Sequence, residues 1–228
     1  MDFNKGLKDG IPVALGYFSV SIAFGLMAIE NECSALEAVL ISVTNLTSAG
    51  QFAGLDIMVA GGAYMEMALT QFIINLRYAL MSLSLSQKLD SSMTLPHRFA
   101  TSFGITDEIF GVASSRSGEV SKYYLYGLIS IPFIGWQAGT LFGALLGGVL
   151  PAMVSDALGI AIYGMFLAII IPQARADSAC LKVILAAVAM SCCFRWIPFL
   201  KHISSGFVII ICAVAASAMG AWLYPVDE

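Results

Sequence analysis

The sequence predicts an all-α polytopic membrane protein, and three observations carry that prediction. Of the 228 residues, 59% are hydrophobic and only 11% are charged, where soluble domains carry about 25% charged residues. The mean hydropathy is +0.86. Long tracts hold no charge at all: Gly10 to Ile29, Ala38 to Leu55, Tyr123 to Ser155, Ala157 to Ala174 and Ile203 to Val226. Each reaches or approaches the roughly 20 residues that cross a bilayer core. No polar block of domain size interrupts them, so residues 1–228 read as a single integral membrane domain with no soluble catalytic part.

About seven hydrophobic segments follow from these tracts, over roughly 11–30, 36–62, 63–86, 123–150, 157–174, 181–199 and 203–224, with a more polar stretch from 87 to 122. The first is preceded by Lys5 and Lys8, as in a secretory signal, but it runs on to Ile29 and meets Glu30, Asn31 and Glu32 instead of a small-residue cleavage site. It is therefore read as a span. The second is interrupted at Thr47-Ser48-Ala49-Gly50-Gln51 and again by Gly54 and Asp56, and the fifth ends at Ile171-Pro172-Gln173. Small, polar and helix-breaking residues at membrane depth predict discontinuous helices, which are tolerated only where they are buried in protein or line a wet cavity.

The third segment carries Arg77 in the middle of an apolar run. A guanidinium placed there costs about 2.5–3.5 kcal/mol on insertion scales and needs a partner or a water-filled cavity. On a helix, Glu66, Thr70, Arg77 and Ser84 share one stripe, and Gln71, Asn75, Tyr78 and Ser82 share another. Two polar faces place this helix centrally. Glu66 lies three turns from Arg77, about 16 Å by the helical rise, too far to pair with it. The candidate partners are Asp107 and Glu108 in Gly104-Ile-Thr-Asp-Glu-Ile-Phe110. If that stretch dips into the bundle, a carboxylate there can pair with Arg77 and exchange a proton. Thr106 capping an amphipathic helix, with the acids at its positive end, explains the same residues.

At the break, free backbone N–H groups at a half-helix start can hold a carboxylate, with Ser48 or Gln51 as further donors. Gly50-Gln-Phe-Ala-Gly54 is also a small-xxx-small pattern that serves close helix packing. Gly139, Gly143, Gly147 and Gly148 give such a face to the fourth segment, for a neighbour within the chain or for a partner.

A weak internal repeat is suggested by Phe24-Gly25, Ser34-Ala-Leu36, Gln51 and Leu76-Arg77-Tyr78, echoed by Phe142-Gly143, Ser155-Asp-Ala-Leu158, Gln173 and Phe194-Arg195-Trp196. Two three-span units, about 10–86 and 123–199, would be inverted relative to one another. The positive-inside rule divides. If every segment crosses, Lys88, Arg98, Arg116, Lys122, Arg175 and Lys182 oppose Lys5, Lys8 and Lys201. If 36–62 is re-entrant, Lys5 and the 87–122 stretch share the inner side at the expense of Lys201, and the rule selects neither side.

Other function classes find little support. There is no basic stripe for nucleic acid. The five cysteines, Cys33, Cys180, Cys192, Cys193 and Cys212, lie in or beside apolar segments without CxxC spacing. His97 and His202 have no second ligand at metal spacing, and no haem or flavin fingerprint is present. Neither His-x-x-x-His nor paired span aspartates argue for an intramembrane enzyme.

With these residues in view, the chain resembles the AzlC family of branched-chain amino acid exporters across nearly its whole length. The resemblance rests on Gly10-Ile-Pro12 and Gly16 leading to Phe24-Gly25-Leu26, on Ser48-Ala-Gly-Gln-Phe-Ala53, on Asn75-Leu-Arg77 and on Thr106-Asp-Glu108. It implies a multi-pass permease of the bacterial cytoplasmic (inner) membrane that exports valine, leucine, isoleucine and related amino acids with a small hydrophobic AzlD-type partner subunit. Ser48, Gly50, Gln51, Asn75 and Arg77 are then expected at the substrate and Asp107 or Glu108 at a coupled proton, with no metal or cofactor. Where the family often has histidine after Asn-Leu-Arg, this chain has Tyr78, which does not change charge near neutral pH. The rival expectation is a structural or regulatory membrane subunit without a substrate path, whose charges only pair.

Overall fold

A computed structural model describes residues 2–147, 167, 170, 171, 174, 175, 177–200 and 202–224. Among these the regular structure is α-helical: α1 (Asp2–Glu30), α2 (Ala35–Thr44), α3 (Ser48–Val59), α4 (Tyr64–Ser86), α5 (Leu95–Ser102), α6 (Asp107–Ser115), α7 (Lys122–Leu146), α8 (Ser178–Trp196) and α9 (Ser205–Leu223). By length and composition α1, α7, α8 and α9 can each cross a membrane. The expected second segment is two short helices parted at Asn45-Leu46-Thr47, and the fifth, 157–174, lies almost wholly outside the described residues.

The chain divides into two compact units, residues 1–51 with 75–161 and residues 52–74 with 162–228. In the first, α1 and α7 run side by side in the same direction, from Gly6 against Tyr124 and Leu128 to Gly147 against Ile29. Glycine makes the approach close enough. A Cβ at Gly25 would enter the Thr140 carbonyl and the Ala144 N–H, and one at Gly143 would enter the Ile22 carbonyl. The small-residue face of the fourth segment therefore serves a neighbour within the chain, as membrane helix pairs require small side chains at the contact. Gly148 lies outside the described residues.

The parallel course of α1 and α7 corrects the inverted repeat. Helices that open two inverted halves must point in opposite directions, and these two point the same way because their glycines match at nearly constant offset. Of the echoing positions, Ser155 to Leu158 and Gln173 lie outside the described residues.

Local sequence sets the remaining elements of this unit. Ser34 caps α2 in a capping box, its hydroxyl accepting from Glu37 N–H (3.2 Å) while Glu37 Oε2 accepts from Ser34 N–H (2.7 Å). Ser121 caps α7. Helices α5 and α6 form a hairpin that enters and leaves by the N-terminal ends of α1 and α7. On the way in, His97 Nδ1 meets Tyr126 Oη at 2.9 Å and Phe103 lies against Phe133. At the tip, Gly104 sits under Ile129, where a Cβ has no room. On the way out Arg116 Nη2 pairs with Asp2 Oδ1 at 3.2 Å. The base is tied by Lys88 Nζ donating to the Ser114 and Arg116 carbonyls. An apolar cluster of Leu85, Met93, Ile105, Ile109, Ala113, Val120, Tyr124, Leu125 and Leu128 fills the hairpin against α4 and α7. Thus Lys5, Lys8, Lys88, Arg116 and Lys122 gather at one end of the unit.

In the second unit, Gly54 of α3 packs on Gln71 and Met67 of α4, the packing reading of that small-xxx-small pair. Helices α8 and α9 pack together through Gly220 against Val183, with Lys182 over the Tyr224 ring. Glu66 and Thr70 are buried, and Glu66 Oε1 accepts from Gly206 N–H (3.1 Å) in the first turn of α9. A carboxylate there satisfies a helix-end donor and meets the positive end of the helix dipole.

Candidate functional site

The polar side chains of the first unit converge halfway along its helices. Tyr17 lies about 22 Å along α1 and Trp136 about 21 Å along α7 by the helical rise. Their rings touch edge to face at 5.3 Å, with Leu46 of the α2–α3 break in the same cluster. The tip of the α5–α6 hairpin reaches this level, because Thr106 hydrogen-bonds the Tyr17 hydroxyl.

Three hydrogen-bonded runs meet here. In the first, Tyr17 donates to Glu108 Oε2 (2.7 Å) and has one proton to give, so the Thr106 hydroxyl donates to Tyr17. Thr106 Oγ1 in turn accepts from Ile109 N–H at 3.4 Å and caps α6. Thr106 thus does what the capping reading assigns it, and does so at the depth the functional reading needs. Asp107 and Glu108 occupy the first turn of α6, where the helix dipole favours negative charge.

In the second run, Arg77 Nη1 pairs with Asp107 Oδ2 at 2.7 Å, the side chains 40% and 29% exposed. Of the two acids proposed from the sequence, Asp107 takes the guanidinium and Glu108 takes Tyr17. Arg77 Nη2 also donates to Tyr78 Oη at 3.2 Å, and Tyr78 donates to Thr47 Oγ1 at 3.3 Å. Thr47 Oγ1 accepts from Gly50 N–H at 3.4 Å. The charge on α4 is connected by this path to the first turn of α3.

In the third run, Trp136 Nε1–H donates to Gln51 Oε1 (3.1 Å) and Gln51 Nε2 donates to Ser42 Oγ (3.1 Å). Ser42 shares a hydrogen bond with Thr140 (2.8 Å), and its carbonyl accepts from Gln137 (3.1 Å). Gln51 is 1% exposed and Ser42 and Thr140 fully buried. This run holds the break of α2 and α3 against α7. Replacing Gln51 by Leu leaves the indole N–H without its acceptor, at about 1–3 kcal/mol, and leaves the Ser42 hydroxyl with Thr140 alone. The expected result is a fall in the midpoint of thermal unfolding of purified Gln51→Leu, with Gln51→Glu, which keeps the acceptor for Trp136, falling less.

Ser48 begins α3 half-buried and Asn75 lies half-buried on α4, two residues before Arg77. Gly50 is buried. Arg77, Asp107 and Glu108 are thereby brought to the same level as the start of α3. Tyr17, Ser42, Trp136, Gln137 and Thr140 were missed from the sequence. Their signal was position: tyrosine and tryptophan favour the two membrane interfaces, and these two stand in mid-helix.

The family model described as AzlC protein matches residues 12–150, which contain all three runs. An uncharacterized membrane protein of Archaeoglobus fulgidus is 30% identical over 222 residues, covering 96% of this chain and 94% of that one. Inner membrane protein YgaZ of Escherichia coli K12 is 29% identical over 192 residues, 80% of this chain and 78% of its own. An uncharacterized membrane protein of Helicobacter pylori is 23% identical over 154 residues, 64% and 66% of the two chains. No solved structure matches the chain.

Proposed function

We propose, from the premise that this chain belongs to the AzlC family of membrane proteins, that it is a secondary transporter of the cytoplasmic membrane. In this reading it exports branched-chain or other apolar amino acids, driven by an ion and working with a small hydrophobic AzlD-type subunit. The observation that carries the reading is the Arg77–Asp107 pair at mid-helix, whose side chains are both left partly exposed. A cation held at that depth needs water beside it, and a water-filled space at the centre of a helix bundle is what a substrate path requires.

In the proposed mechanism the substrate carboxylate meets the N–H groups at the start of α3, around Ser48 and Gly50, where the helix dipole is positive. Gln51 holds that helix start in place through Trp136 and Ser42. Asn75 and Arg77 shape the cavity. Asp107 or Glu108 carries the coupled proton: Asp107 releases or regains Arg77 as it titrates, and Glu108 has Tyr17 as hydrogen-bond donor. By the positive-inside rule the end holding Lys5, Lys8, Lys88, Arg116 and Lys122 faces the cytoplasm.

The rival is a non-transporting structural or regulatory membrane subunit. The Gln51–Ser42–Trp136–Thr140 run favours it for that part of the site, since these groups satisfy one another and leave little for a ligand. Leucine efflux from preloaded proteoliposomes separates the two. The expected result is efflux above protein-free vesicles, enhanced by a proton gradient and by the small subunit. Folded protein giving no efflux under any of these combinations, with valine and isoleucine also tried, would favour the rival.

A further inference from the structure

We infer that the first unit carries a binding site for the headgroup of an anionic phospholipid, in a cleft of about 480 Å³ between the N-terminal turns of α1 and the end of the α5–α6 hairpin. The cleft is lined by Lys5, Lys8 and Asp9, by Pro12 and Val112, and by Arg116. It lies outside the three polar runs at mid-helix, and the proposed transport does not use it.

Charge is the first argument. The lining sets two lysines and an arginine against the single carboxylate of Asp9, which already accepts from Tyr124 Oη at 2.8 Å. Both lysines are exposed, and the ion pairs among the described residues engage neither. Arg116 is held in place by Asp2 at 3.2 Å and by stacking 4.2 Å from the Tyr124 ring centroid. Its Nη1 is nevertheless buried with no hydrogen-bond partner. With that atom closed off, Arg116 contributes its charge to the cleft and not this donor.

Depth is the second. Helix α1 has 29 residues and is about 43 Å long by the helical rise, longer than the roughly 30 Å hydrocarbon core. Its uncharged run begins at Gly10, so Lys5, Lys8 and Asp9 stand in the headgroup layer. Pro12 and Val112 lie on the side towards the hydrocarbon. Cations above and apolar walls below match a phospholipid better than a free phosphate ion, and basic pockets between membrane helices on the positive side recur as sites for anionic headgroups. The occupant assigned is an anionic phospholipid.

The test uses the full-length purified chain in an uncharged detergent, titrated with short-chain phosphatidylglycerol, short-chain phosphatidylcholine or inorganic phosphate, with thermal unfolding and direct binding as readouts. Phosphatidylglycerol is expected to bind saturably and raise the unfolding midpoint, less so at high salt, while phosphatidylcholine does neither. Lys5→Gln combined with Lys8→Gln is expected to weaken that binding about 30-fold, from the worth of two lysines near a charged surface, and Lys182→Gln to leave it unchanged. Equal binding of the two lipids by the parent chain overturns the proposal without recourse to any variant. So does undiminished binding by the double variant, and inorganic phosphate matching phosphatidylglycerol mole for mole overturns the lipid assignment.

Discussion

Arg77→Ala is expected to reduce amino acid efflux about tenfold or more while most of the protein still folds, and Asp107→Asn to match it in efflux and exceed it in loss of stability. Breaking a fully buried pair by removing one partner costs about 3–5 kcal/mol. Here the side chains are 40% and 29% exposed, so the pair is only partly desolvated, and about 1–2 kcal/mol, near a factor of ten, is the reasonable scale. The asymmetry follows from what each partner leaves behind. Without Arg77, Asp107 remains in the first turn of α6, where helix N–H groups and the dipole support a carboxylate. Without Asp107, the guanidinium keeps, among the described residues, the Tyr78 hydroxyl and ring face, and a cation at that depth is the costlier orphan. Efflux normalised to folded protein, beside unfolding midpoints for both variants and for the double variant Arg77→Ala/Asp107→Asn, checks this. Unchanged efflux in both single variants would remove the pair from the mechanism. A double variant no more stable than Asp107→Asn would show that the pair is not what holds the hairpin tip.

The elements that the sequence made legible share one property: each is announced by a residue whose cost in a membrane is large. An arginine in an apolar run demands an anion, and two acids in a neutral stretch offer one, so Arg77 could be directed to Asp107 or Glu108 from the sequence, while the choice of Asp107 came from the geometry. Four glycines at helical spacing demand a close neighbour, although the pattern does not say which; for Gly139, Gly143 and Gly147 the neighbour is α1. The opposite case is the Gln51–Ser42–Trp136–Thr140 run. Uncharged polar groups cost little to carry in a membrane helix, and nothing in their spacing reveals that residues 85 apart in sequence will meet. The hairpin of α5 and α6 was only half visible. Its charged and polar composition argues for an interfacial stretch, and what carries it inward is packing by Ile105, Ile109 and Ala113 against α4 and α7, a property of the assembled unit. The inverted repeat was misjudged because short matches at similar spacing record likeness of sequence and carry no information on direction, and direction is what α1 and α7 contradict.

The parallel contact of α1 and α7 should be the most sensitive surface in the first unit, and Gly143→Val should abolish folded protein. A valine Cβ at that position would occupy the place of the Ile22 carbonyl, and neither partner is the flexible end of a side chain that can swing aside. Relief requires the two helices to separate. Separation loosens Gly139 from Phe18 and Gly25 from Thr140 and Ala144, and it strains the Ser42–Thr140 and Gln51–Trp136 hydrogen bonds that join α7 to the break. Overpacking a rigid contact costs about 1–3 kcal/mol and occasionally more; the loss of those bonds adds to it, and the sum is comparable with the whole stability of a domain. Gly16, on the same helix α1, supplies the contrast. No described residue lies within 4 Å of a Cβ built there, so Gly16→Ala should be neutral or stabilising by up to about 1 kcal/mol, the helix propensity difference. Size-exclusion profiles of the two variants in detergent decide the matter. If Gly143→Val gave a monodisperse peak with the parent's unfolding midpoint, α1 and α7 would not be in backbone contact, and the depth assigned to Tyr17, Trp136 and the hairpin tip would fall with that contact.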